Sequence, residues 1–196
     1  MEKHKIEEAG KKVQNGIIDV LKGVDEIIGE VFTLVKNTVV NSLRGVEGIG
    51  TEVARVAKDA VKGAIYGTRE IGGDLANAAK SAVKGTLEGV AEIGEDLGKV
   101  VKEVIQAAVR GANDVGGDVA KIAKSAVEGA IEAARDIGGD VGKITKDAVI
   151  GAVEAAEEIS SKTGKAVKDT LETSIEGAKE IIKKAFTKKE DKENKQ

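Results

Sequence analysis

Apolar and polar positions along the chain recur every 22 residues. Seven full units run over 27–48, 49–70, 71–92, 93–114, 115–136, 137–158 and 159–180, and a weaker eighth, 5–26, precedes them. The first position reads Ile27, Ile49, Ile71, Ile93, Val115, Ile137, Ile159, and the thirteenth Val39, Val61, Val83, Ile105, Val127, Val149, Leu171. The seventeenth is Leu43, Ile65, Leu87, Val109, Ile131, Val153, Ile175. Twenty-two is twice eleven, and eleven residues close three turns at about 3.67 residues per turn, close to the natural α-helix. Apolar positions 1, 5, 9, 13 and 17, joined by small residues at 12 and 16, therefore stay on one side. The arc they cover spans roughly 160° of the helix surface, wider than a two-stranded seam. The pattern predicts an all-α protein without β-structure. Its apolar face carries Ile71, Leu75, Val83, Leu87, Ile93, Val115, Val127, Ile131, Ile137 and Val149.

Charge borders that face. The tenth position is Lys in all seven units, giving a basic edge of Lys36, Lys58, Lys80, Lys102, Lys124, Lys146 and Lys168. Acids at the fourth position (Glu30, Glu52, Asp74, Asp96, Asp118, Asp140) form the opposite flank.

The words "REIGGD", "NDVGGD" and "RDIGGD" fall at the unit boundaries. Adjacent glycines before an aspartate read as a helix stop and start. Phase, however, is kept to the residue across every boundary, and the second glycine is replaced by Thr51, Glu95 and Ser161. The favoured reading is one continuous helix softened at Gly72, Gly73, Gly116, Gly117, Gly138 and Gly139. The alternative is a set of short helices with Gly as C-cap and Asp as N-cap, folded into a bundle. Placing most of the 25 glycines inside helix costs on the order of 20 kcal/mol relative to alanine, more than a domain's usual net stability. A lone helix of this sequence is expected to be melted in water and to need a covering surface. Fully helical, 27–180 reaches roughly 230 Å.

Composition sharpens this picture. The aromatics are Phe32, Tyr66 and Phe186 only, so a conventional core built on large rings is poorly supplied. Proline and cysteine are absent, which removes the commonest helix breaker and excludes disulfides and thiolate chemistry. The net charge of −3 gives no general attraction to nucleic acid. No secretory signal is read at the charged start, and "IIGEVFTLVKNTVV" at 27–40 is too short and too charged to span a membrane. Residues 1–26 read as a lead-in, 27–180 as the repeat domain and 181–196 as a charged, disordered tail, with Phe186 a candidate anchor at its start.

A 22-residue unit of paired elevens, with Lys at the apolar border and Gly among Val and Ala, resembles the lipid-surface helices of exchangeable apolipoproteins, perilipins and synucleins. The resemblance covers about 5–182 and is one of pattern; the synuclein word "KTKEGV" and the proline punctuation of apolipoproteins are missing. It implies reversible peripheral binding to a membrane or lipid surface, anionic by preference, in a cytoplasmic protein. It overlaps with the hendecad repeats of late-embryogenesis-abundant stress proteins, which are more hydrophilic.

Candidate chemistry is sparse. The Gly-Lys pairs at 98–99, 142–143 and 164–165 lack the spacing and hydroxyl of a phosphate-binding loop. Acid pairs such as Asp114 and Asp118 offer far fewer oxygens than calcium needs, and they read as a solvated flank eased by Asp118–Lys121 and its equivalents. Steps such as Gly85/Gly89 and Gly151/Ala155 suit close backbone approach. With His4 alone and no Cys, no triad or zinc site assembles. The expectation is a non-enzymatic protein without cofactor, metal or small-molecule substrate. Lipid is the first expected partner. Self-assembly into a bundle or right-handed coiled coil is the alternative, with one helix's Lys border meeting another's acids, and a stress protectant that stays disordered until dehydrated is the third reading.

Overall fold

The computed structural model describes residues 14–15, 27–44 and 51–193, and all of its regular structure is helical. The helices are α1 Ile27–Leu43, α2 Thr51–Glu70, α3 Leu75–Glu92, α4 Val101–Asp114, α5 Val119–Asp136, α6 Val141–Ile159, α7 Ser161–Ser174 and α8 Ala178–Glu193, with a 3₁₀ turn at Leu97–Lys99 before α4.

The continuous-helix reading is overturned: the chain breaks at each Gly-rich word. The reason lies in hydrogen bonds at the joint. Gly72, Gly94, Gly116 and Gly138 take φ between +67° and +80°, a region that costs other residues energy. The flanking amides then close the helix end. Gly72 N–H donates to the Arg69 carbonyl and Gly73 N–H to that of Thr68; Gly116 and Gly117 repeat this on Asn113 and Ala112, and Gly138 and Gly139 on Arg135 and Ala134. This paired pattern satisfies the last carbonyls of each helix. The following aspartate opens the next one. Asp74 accepts from the amides of Ala76 and Asn77, Asp118 from Lys121, and Asp140 from Lys143. The joint glycines, which would be costly inside a long helix, thus sit where the turn requires them.

Joints this short turn each helix back on its predecessor. The three heaviest contacts nevertheless skip one helix, α1 on α3, α3 on α5 and α4 on α6. Helix α2 also lies on α4, α5 on α7 and α6 on α8, although toward the C-terminus the sequential pair α6–α7 packs more extensively. The result is two layers, odd helices in one and even in the other, with the core between them. Val39, Val61, Val83, Ile105, Val127, Val149 and Leu171, the thirteenth positions, are all fully buried there. Burial extends beyond the predicted arc. Ala78, Ile122 and Ile144 at the eighth position, and Val90, Ala112, Ala134 and Ala156 at the twentieth, are also covered. Small residues on the flanks are what let same-layer neighbours close in. The first positions, Ile71, Ile93, Val115 and Ile137, are half-buried at the joints.

The segment expected as a tail is also corrected over much of its length. It is helical through Glu193, and Ile182 and Phe186 are buried against the end of the core. The Phe186 ring lies 5.0 Å from Lys168 Nζ. The weak unit 5–26 falls outside the described residues apart from Gln14 and Asn15.

Candidate interaction surface

The outward stripes of both layers are meshed charges, and most of the pairs follow one pattern. A cation near the middle of one helix reaches an acid near the end of the helix two units on. In the odd layer Lys36 pairs with Glu88 (3.7 Å) and Glu92 (3.3 Å), Lys80 with Glu132 (2.6 Å) and Lys84 with Asp136 (2.6 Å). In the even layer Lys102 pairs with Glu154 (2.6 Å) and Arg110 with Glu158 (2.7 Å), while Lys58 reaches Glu103 (2.8 Å) at the start of α4. Asp136 also raises the pKa of the Lys84 ammonium, chiefly through their hydrogen bond. Asp114 accepts the Tyr66 hydroxyl at 2.7 Å. Burial first, and then that bond and the carboxylate's charge, push the phenol up to about 12. Gln14, at the tenth position of the weak unit, donates to Glu70 (2.6 Å), the register by which Lys36 reaches Glu92.

Beneath the charges, glycines set the helix spacing. A β-carbon on Gly85 would come within 2.6 Å of the Phe32 carbonyl oxygen. One on Gly129 would collide with the Lys80 carbonyl, and one on Gly151 would stand 3.0 Å from that of Lys102. The small-residue steps read from the sequence do bring backbones together, within one chain.

The predicted borders are placed differently from expectation. Lys58, Lys80, Lys102, Lys124 and Lys168 are all ion-paired, Lys124 to Glu128 (3.7 Å) and Lys168 to Glu157 (2.6 Å). Lys146 is exposed and has no ion pair among the described residues. Asp74, Asp96, Asp118 and Asp140 are N-caps instead of an acidic flank, and Glu52 leans on Arg55 at 3.6 Å. Most of the acids that pair between helices, Glu88, Glu92, Asp114, Glu132, Asp136, Glu154 and Glu158, stand at the eighteenth and twenty-second positions. Their signal is their recurrence beside the apolar arc, but only a folded-back chain brings them to the lysines. The apolar residues named above all turn inward or lie half-buried at joints.

A shallow cleft of about 400 Å³ opens on the odd layer between Lys36, Glu88, Ala91, Glu92, Asp136 and Ile137. Among the described residues no cluster of His, Asp or Glu has the arrangement to hold a metal ion, and no helix is long and apolar enough to cross a membrane.

No protein-family model matches the chain, and no curated protein does. Among solved structures it is similar to the de novo designed helical repeat protein DHR7, with a TM-score of 0.51 and 21% identity over 94% of each chain. That likeness shows a helical-repeat fold.

Proposed function

We propose that the chain is a non-enzymatic structural repeat protein, a self-contained helical scaffold whose business is done by its charged outer faces. One observation carries this reading: the apolar positions that define the repeat are covered by other helices of the same chain. A face already covered needs neither lipid nor a second chain to be stable. The outer faces mix both signs at close range, which disfavours nucleic acid as a partner.

The second reading is peripheral association with an anionic lipid surface by a cytoplasmic protein. The joints favour it: those at Gly72, Gly94, Gly116 and Gly138 each turn on a single positive-φ glycine and separate units that share one apolar phase. Lipid would then replace the core as the cover for that face.

Circular dichroism and sedimentation in dilute buffer, with and without anionic vesicles, separate the two. The scaffold reading expects high helix content, monomer mass and a cooperative melt, all unchanged by vesicles. Low helicity in buffer that rises only with vesicles would sink it in favour of the lipid reading.

A further inference from the structure

The contacts joining α3 to α5 and α4 to α6 lie in different layers, yet they are the same contacts. Lys80 meets Glu132 and Lys102 meets Glu154, each 52 positions on and each at 2.6 Å. The Lys80 carbonyl faces Gly129 and the Lys102 carbonyl faces Gly151, each 49 positions on. At the thirteenth position Val83, Ile105, Val127 and Val149 are all fully buried beside them. The α1–α3 contact keeps the Lys36–Glu88 pair, 52 positions on, but there Gly85 faces the Phe32 carbonyl and Gly89 that of Lys36, each 53 positions on. The receiving edges of α3 and α4 therefore carry little to say which unit they have received. Reception is decided by covalent connection, through short joints, most of which turn on one glycine.

We propose that this unit-on-unit interface takes a second copy of the chain as its partner, through exchange of 22-residue units. A unit from one copy seats on the preceding helix of another with its lysine–acid pairs and glycine contacts unchanged. Whatever surface a departing unit uncovers in its own chain is covered again by the unit received from the other copy. What opposes exchange is the joint, which holds the chain's own unit at an effective concentration on the order of a millimolar. Exchange consequently occurs during folding of crowded chains and is trapped afterwards. This holds for the folded scaffold and does not depend on lipid.

The test uses full-length chains. The protein has no cysteine, so Glu172→Cys, exposed on α7, gives one labelling point. Donor- and acceptor-labelled copies are unfolded, mixed and refolded over a range of concentrations, diluted, and read by energy transfer and by mass. A mixed dimer that rises with refolding concentration and survives dilution is expected. Specificity is read with a charge-reversed chain (Lys80→Glu, Lys84→Glu, Glu132→Lys, Asp136→Lys), which keeps its own pairs but opposes like charges in a mixed α3–α5 contact. Reversed chain mixed with original should give about tenfold less dimer than either gives with itself, because two exposed pairs cannot form. Should the fourfold variant fail to fold, Lys102→Glu with Glu154→Lys makes the same comparison in the other layer, at about threefold. Monomer alone at every refolding concentration overturns the proposal. So does a dimer formed by mixing copies already folded, or one formed equally by matched and mismatched chains.

Discussion

A β-carbon at Gly129 has nowhere to go, because the backbone of Lys80 occupies its place. In an isolated helix Gly→Ala gains roughly 1 kcal/mol; here the two helices must part to admit the methyl group. Gly129→Ala is therefore expected to destabilise by about 2 kcal/mol. Gly142→Ala, exposed on α6 with nothing closer than 3.5 Å, should instead stabilise by up to about 1 kcal/mol. Denaturant titration of both variants checks the opposite signs. Tyr66 supplies a second residue-scale test because it is the chain's single tyrosine. Its folded pKa of about 12 lies above the ordinary value of 10.0. A raised pKa means that the fold favours the neutral phenol, so its stabilising contribution is complete below pH 10 and is lost as pH climbs through about 12. Tyrosinate absorbance should titrate near 12 in the folded protein and near 10 once it is denatured. Tyr66→Phe should remove that part of the alkaline destabilisation.

At the scale of the element, the joints from α2 to α6 each combine a C-terminal glycine with an N-terminal aspartate two residues on. Gly116→Ala places a side chain at φ +67°, costing about 1 kcal/mol or more. Asp118→Ala removes the acceptor for the Lys121 amide, costing about 1 kcal/mol. Both should lower the thermal midpoint, and their double variant tests whether the joint acts as a unit. The joints also mark where sequence reading reaches its limit. The word "VGGD" at 115–118 carries both cap signals, yet two elevens keep phase through the joint whether or not the backbone turns there. Periodicity therefore identifies Val83, Val127 and Val149 as core without deciding which partner covers them. The same ambiguity hides the role of Glu132 and Glu154. On a straight helix they are merely solvated, and only folding back sets them against Lys80 and Lys102. Asp118 and Asp140 read as flank in the sequence because a continuous helix has no end for them to cap.

Across the whole molecule the question is what counts as one repeat. Two-layer helical stacks are ordinarily thought of as stacked hairpins, which would make the unit 44 residues long and the two layers chemically different. Here the Lys80–Glu132 and Lys102–Glu154 contacts are alike although they lie in opposite layers, as a repeat of single 22-residue helices would require. The distinction is measurable. Deleting 115–136 moves every later helix to the other layer: α6 takes the place of α5, with Glu154 facing Lys80 and Gly151 facing its carbonyl. If single helices are the repeat, this shortened chain should still melt cooperatively. Because stability in such stacks sums over neighbouring units, its midpoint should be lower by an increment like that from trimming one unit at an end. A hairpin repeat predicts something else: loss of cooperative melting on deleting 115–136, but survival on deleting 115–158, which keeps every helix in its layer. Differential scanning calorimetry of the two deletions decides between them.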